Sequence, residues 1–500
     1  MLWAACRAQF TKEPPMTNSG QRTGSRWRKV FLCAVLFRLI FLLWSWTPWL
    51  AEPQDGMSLL YFRQGYGLAV GYGYVSSQGA GGKQLKDLYA LVEDSKSPIT
   101  AQTAPPLHPD DAWPEMLHPP GMALLIGGLY RVLHVPVDLA VELVGLLLDS
   151  LSAALLCELL TRCWSPALGY ATGLCYAFFP PLAFGAAASR APEGLMGIFV
   201  TGTVFCVWMA MQPGRRQWLW WSLLGGFTLG LGSYFRPDYL LLPVLLGLGA
   251  WALTRHFWVS VRNLIIVQVL AVLLLLPWAY RNHELCGRWI FTSTSVGPTL
   301  ITGLGEFHNP WGFGGSDIDR GKEAAAQGLK SQWGPEADVY FRGLFWKSVA
   351  QYPMGYGLSV AKRIPLAVAP PLDWGLQNPW KQESFIQVRQ NNGQDRYSAL
   401  TARFGHTLLA YGDVLIIAAV CLLALLAWFC LLLREHARWG LGFFLLSPHL
   451  YAVSSHILTH FEPRFLLPSI GWLLIGLGYL LVRIGERKKQ DCQSPSLQHN

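Results

Sequence analysis

A run such as NLIIVQVLAVLLLL (263–276) leaves a polypeptide few options. Hydrocarbon supplies no water to backbone N–H and C=O groups, so a segment placed there must satisfy its own backbone, and a helix does that. Apolar segments of this kind recur near 30–50, 119–135, 138–160, 167–187, 192–211, 218–235, 238–254, 262–280, 408–433, 439–458 and 464–484. Most are roughly 17–22 residues long, enough to cross a hydrocarbon core of about 30 Å. Composition agrees: the 500 residues are 52% hydrophobic and only 14% charged, where a soluble protein carries about 25% charge. The pattern predicts an all-α polytopic membrane protein with about 10–12 transmembrane helices.

The formal net charge of +9 does not point to nucleic acid. The basic residues gather at helix ends (Arg26, Arg28 and Lys29; Arg215 and Arg216; Arg487, Lys488 and Lys489), as they do when positive charge holds loops on the cytoplasmic side. Residues 1–29 then form a cytoplasmic basic tail, 30–280 a membrane module with a first outer loop at 51–118, 281–405 a second outer region, 406–484 the last spans and 485–500 a cytoplasmic tail. The N-terminal stretch has no apolar core or small-residue cleavage site, so it does not read as a removable signal. Most of the 10 cysteines lie in apolar segments, which implies no disulfide framework. One conflict stands. Seven apolar segments separate the two outer loops, whereas an even number of crossings is required. Either 119–135, which contains Arg131 and His134, or 167–187, broken by Pro180-Pro181, must fail to cross straight through.

With this threading, polar residues from five separate segments meet at the outer surface. The first loop carries Glu52 and Asp55 and closes with EMLHPPG (115–121), which contains His118. AAASRAPEG (186–194) brings Arg190 and Glu193; SYFRPDYLLLP (233–243) brings Arg236 and Asp238; LPWAYRNHELCGRWIF (276–291) brings Arg281, Asn282, His283 and Glu284. SSHILTHFEPRFLLP (454–468) adds His456, His460, Glu462 and Arg464. Singly, each has a plain explanation: an outer arginine can snorkel or pair helices, and Asp238 can cap a helix. His456 and His460 share a helix face without an evident third metal ligand, which favours packing or hydrogen bonding over a metal site. His449, in mid-span, reads as a satisfied interior histidine. Together they suit one site. Ionisable groups at a membrane are expensive and line functional paths, arginine forks match phosphate, and a carboxylate among them can take a proton from a hydroxyl.

Several of these stretches together resemble the GT-C glycosyltransferases, closest to the branch with protein O-mannosyltransferases and the lipid A aminoarabinose transferase. QDGMSLLYFRQGYGLAVGYGYV (54–75) is similar to that family's first-loop acid followed by a helix rich in Ala and Gly. His118-Pro119-Pro120 matches its His-Pro-Pro, PWAYRN (277–282) its Pro-Trp-x-x-Arg-Asn helix end, and PRFLLP (463–468) its later Arg-aromatic-x-x-Pro motif. The family often has an Asp-Glu pair in the first loop. Here Asp55 is followed by Gly56, with Glu52 three residues earlier, so two carboxylates stand as candidates for the base.

The resemblance implies amphipathic helices in the first outer loop and non-crossing helices beside it, which would settle the parity conflict. It also implies a polyprenyl-phosphate sugar donor, a hydroxyl-bearing glycan, lipid or protein acceptor, and a single inverting displacement at the non-cytoplasmic membrane surface. In that reaction Asp55 is the expected catalytic base. Arg281, with Arg236 and Arg464 behind it, is expected to meet the leaving phosphate; Glu52, His118, Glu193, Asn282 and His460 are the further expected substrate-binding residues. No cofactor is firmly predicted, and a divalent cation stays open. The setting is a multi-pass protein of a bacterial inner or plasma membrane, or of the endoplasmic reticulum in a eukaryote. A secondary transporter is a rival reading, as is a lipid-linked glycan polymerase or ligase. Transporters, however, place their charged sites near mid-membrane between internal repeats, and no repeat is visible here.

Overall fold

The computed structural model describes residues 26–45, 56–76, 81–95, 97–108, 113–212, 216–372 and 399–493. It is helical throughout, the sole β pairing among the described residues being an isolated antiparallel bridge between Val75 and Pro114. Seven described helices are long and apolar enough to cross a membrane, and an eighth span arises if one bent pair is counted as a single crossing. The resulting class, an all-helical polytopic membrane protein, is the one the apolar runs predict.

The chain enters through α1 (Arg26–Ser45). The first polar loop folds into α2 (Gly56–Ala69) and α3 (Gly81–Asp94). In α3, Leu85, Leu88 and Val92 are buried while Lys83, Lys86 and Asp87 are exposed, the helical spacing of an amphipathic surface helix. Next comes α4 (Gly121–Leu133), whose 13 residues span only about 20 Å at 1.5 Å per residue. That is too short to cross. The membrane module continues with α5 (Asp138–Cys163), α6 (Pro166–Ala177), α7 (Pro180–Ala187), α8 (Pro192–Ala210), α9 (Trp218–Phe235), α10 (Leu242–Thr254) and α11 (Phe257–Cys286). Helices α6 and α7 are bent by 59° where the Pro180-Pro181 pair cannot continue the hydrogen-bond ladder. Helix α4 is thus the segment that does not cross; with the bent pair taken as one span, five candidate spans separate the polar regions, and an even number requires α9 to cross as well. Helix α9 packs closely on α8 and α11.

Helix α11 is longer than its apolar run suggests: it passes through Pro277 and ends only at Gly287, whose φ of +69° is the left-handed conformation glycine tolerates. The second polar region builds α12 (Val296–Gly305), α13 (Asp317–Ala326), α14 (Pro335–Gln351) and α15 (Pro353–Val368) around Ile301, Leu304, Ala337, Phe341 and Phe345. The final spans lie in α16 (Ala399–Arg434), α17 (Trp439–Leu458) and α18 (Leu467–Gln493). One large apolar cluster runs from α1 through α5, α6, α8 and α10 to α16, α17 and α18, so the C-terminal spans close against the N-terminal ones.

Two close approaches bring the polar ends together. A Cβ on Gly121 would collide with the backbone of Tyr234 and Phe235, so glycine lets α4 start directly against the end of α9. A Cβ on Gly303 would strike the Thr459 carbonyl, and glycine there seats α12 on the turn after α17.

Candidate active site

The ends of α8, α9, α12, α15 and the turn between α17 and α18 supply a chain of alternating charge. Glu193, buried in the first turn of α8, accepts a hydrogen bond from Arg236 Nη1. The Nε of Arg236 donates to Asp238 Oδ2 at 2.9 Å, and its guanidinium lies 4.3 Å from the centre of the Phe465 ring. Arg464 Nε is 3.8 Å from Glu193 Oε1 and 2.6 Å from Glu462 Oε2. His460 bonds Glu462 through Nε2 at 3.1 Å and Glu306 through Nδ1. Glu306 also accepts from the Phe461 amide at 2.8 Å and from Arg363 Nε at 2.7 Å. Arg363, fully buried, spends its remaining donors on the carbonyls of Ile457 and Gly303. Four carboxylates therefore alternate with three guanidiniums and one imidazole. Each charge has opposite neighbours, which is what makes such a group tolerable away from water.

His460 illustrates the balance. Burial alone would lower its pKa, but hydrogen bonds to the carboxylates of Glu306 and Glu462 outweigh that and raise it to about 9. Glu462 moves the other way: against burial, His460 and Arg464 hold it at about 2. Folded, His460 keeps its proton up to about pH 9; unfolded, it releases it near 6.5. Its contribution to stability is accordingly complete below pH 6.5 and is lost as pH rises through 9. The melting temperature of the detergent-solubilised protein is expected to fall between these limits, and the fall should be shallower in His460→Gln. An unchanged slope in the variant would show that the imidazole is not charged in this network.

A second node adjoins the first. Tyr61 on α2 meets the His118 ring edge-on, with centroids 5.2 Å apart. Burial, then the charge of Glu193, then that of Glu115, keeps the Tyr61 phenol protonated, while Arg236 and Arg464 pull in the opposite sense; this tyrosine is sensitive to both nodes. His118 is held neutral, its pKa lowered to about 4 by burial and by Arg236, and its buried Nδ1 has no hydrogen-bond partner. Glu115 is almost fully buried; its carboxylate accepts from Gln64 Nε2 at 2.6 Å and from the Leu117 amide at 2.5 Å.

Arg281 is fixed in this node without being neutralised. Nη1 donates to the Glu115 carbonyl at 2.8 Å and to Asn282 Oδ1 at 3.0 Å, and Nη2 donates to the Tyr74 carbonyl at 2.8 Å. Its guanidinium also lies 5.0 Å from the Trp278 ring centre. Among the described residues no carboxylate forms an ion pair with it. Asn282 is buried and donates to the Ile290 carbonyl at 2.9 Å, tying the end of α11 to the segment beyond it.

The structure thus brings Glu193, Arg236, His460 and Arg464 into one cluster and places His118, Arg281 and Asn282 in the node beside it. Glu52 and Asp55 lie outside the described residues. Arg190 belongs elsewhere: it pairs with Asp138 and Glu142 at the start of α5. Asp238 is an ion-pair partner rather than a cap. His449 bonds Ser469 at 3.1 Å inside the bundle, and His456 packs on Phe465 at 4.9 Å. Trp311 stacks on Phe313 and donates to the Ser348 carbonyl at 2.9 Å, inside the core of the second polar region. Among the described residues no group of three or more His, Cys, Asp or Glu side chains is arranged to hold a metal ion.

Glu115, Glu306 and Arg363 are the members that the sequence left unassigned. Each sits in a stretch that stands out in the sequence, namely EMLHPPG, GLGEFHNPWGFGG and LSVAKRIPLAVAPPLDW. In the last two, glycine permitting close approach and a basic residue on an amphipathic helix were the available signals. Arg38 is a separate case. It is fully buried in α1 and bonds Asp149 on α5, with Tyr176 donating to the same carboxylate at 2.6 Å. An arginine inside FLCAVLFRLIFLL (31–43) is the mark of such a partnership.

Among curated proteins the chain finds no match. Residues 117–280, from the His-Pro-Pro motif to the helix that carries Arg281, match the family described as dolichyl-phosphate-mannose-protein mannosyltransferase, and with the all-helical spans around them this supports a membrane glycosyltransferase of GT-C type.

Proposed function

We propose that the chain moves a sugar from a polyprenyl-phosphate donor to a hydroxyl on a glycan, lipid or protein acceptor, at the non-cytoplasmic membrane surface and with inversion. The family match supports the lipid-linked donor, and the state of Arg281 is the observation that carries the mechanism. Arg236 and Arg464 are each paired with carboxylates, whereas the donors of Arg281 go to neutral oxygens that aim it without cancelling its charge. Such a preorganised cation, with no carboxylate ion-paired to it among the described residues, favours an anion that develops during reaction.

In the displacement, the acceptor oxygen attacks the anomeric carbon while Asp55 takes its proton. The bond from that carbon to the phosphate oxygen breaks, and the electron pair leaves with the lipid phosphate, facing Arg281. The buried pairs Glu193–Arg236 and Glu306–His460 hold the surrounding helix ends in register. Because the donor's tail is a lipid, its phosphate sits at the membrane surface, and there the polar end of α11 would form the floor of the site. Mass spectrometry of lipids that copurify with the protein should find a polyprenyl-phosphate sugar, which added acceptor discharges to the free lipid phosphate. Transfer from a nucleotide sugar in lipid-free detergent would contradict this reading.

A further inference from the structure

We propose that Glu115 is a positioning residue for Arg281 and that the ionisation of its carboxyl sets how much positive charge Arg281 offers to the donor's phosphate. The inference rests on the reading of Arg281 as the partner of that phosphate. Glu115 is the hub of the cradle: its own carbonyl accepts from Arg281 Nη1 at 2.8 Å, and its amide donates at 3.0 Å to the Tyr74 carbonyl that accepts from Nη2. A single residue therefore shapes both sides of the fork, and its carboxyl accepts from Gln64 and the Leu117 amide.

The groups facing that carboxyl are Gln64 and Tyr61 from α2, Tyr74 from the loop after it, His118 on its own segment and Arg281 from α11. Tyr61 and Tyr74 are held protonated by burial, and His118 is neutral above about pH 4. Burial raises the carboxyl itself to about 7, against the backbone amides and Arg281. Across neutral pH, Glu115 is then the group in this node that changes charge. Protonated, it leaves the Arg281 charge whole; ionised, it offsets part of it. A phosphodiester donor keeps its single negative charge over the same range, so a change in donor affinity belongs to the protein.

The test measures KM for a short-chain polyprenyl-phosphate mannose, together with kcat, from pH 6 to pH 8 on the full chain in nanodiscs. The wild type is expected to lose donor affinity several-fold as pH rises through about 7, and Glu115→Gln to hold one KM across the range. Gln64→Met, which removes a donor to the ionised carboxyl, should shift the inflection to higher pH; this keeps the test open if Glu115→Gln does not fold. Glu93, bonded to Tyr66 away from this node, also titrates at about 7 through burial and the neighbouring Asp138. Glu93→Gln should leave the inflection in place. An inflection that survives Glu115→Gln, or one removed by Glu93→Gln, overturns the proposal. A wild type that binds the donor equally at every pH overturns it too, while a protein that binds no lipid-phosphate sugar at any pH overturns the reading of Arg281 beneath it.

Discussion

An Asp55→Asn enzyme is expected to bind the polyprenyl-phosphate sugar as the wild type does and to transfer it about 10²–10⁴-fold more slowly, the range lost when a positioned general base is removed. Asparagine keeps the size and hydrogen-bonding shape of the side chain but cannot take the acceptor's proton. Single-turnover transfer, measured beside equilibrium donor binding, separates the two effects. Glu52→Gln provides the comparison that the sequence calls for, because two carboxylates precede α2. The large loss in kcat should follow Asp55, with Glu52→Gln close to the wild type. If the losses were reversed, Glu52 would be the base; if neither variant slowed transfer, the first-loop acid would have no part in the chemistry.

Arg281→Gln is expected to lower kcat/KM by roughly 10²–10³-fold, the magnitude associated with removing one preorganised donor from a developing anion. Glutamine can still donate to the carbonyl of Tyr74 or Glu115, so part of the cradle survives the loss of charge. Arg281→Lys divides the effect further: it restores a cation, but a point charge rather than a fork. Lysine should recover part of the rate, and the remaining deficit would measure the fork's geometry. By contrast, Arg236→Gln should act mainly on folding. Its guanidinium already bonds Glu193 and Asp238, and removing it strands a buried carboxylate, a loss of about 3–5 kcal/mol. A reduced yield of folded Arg236→Gln protein beside a well-folded but slow Arg281→Gln protein is the pattern the geometry implies.

The fold was legible because hydrocarbon imposes so few solutions. Apolar length located the spans, and the suspect segment 119–135 proved to be the short α4. Membrane side and motif order put residues as distant as His118, Glu193, Arg236 and Arg464 in one set of candidates, and the structure places them in two adjoining nodes. What could not be read was the pairing. Nothing in local sequence joins Glu306 to His460 and Arg363, because those contacts depend on Gly303 lying against Thr459 across the fold. Likewise, Arg190 and Glu193 are three residues apart yet face different partners, since α8 begins between them. The end of α11 lies beyond the apolar segment near 262–280: the helix absorbs Pro277, carries Arg281 a full turn past it and ends at Cys286.

A density map of the protein in nanodiscs with a non-hydrolysable polyprenyl-phosphonate sugar bound would examine the heart of this account. The phosphonate should lie within hydrogen-bonding reach of Arg281, about 3 Å, with the Asp55 carboxylate on the opposite side of the anomeric carbon. A headgroup seated away from α11, with Arg281 still closed on the carbonyls of Tyr74 and Glu115 and Asp55 remote from the sugar, would contradict it.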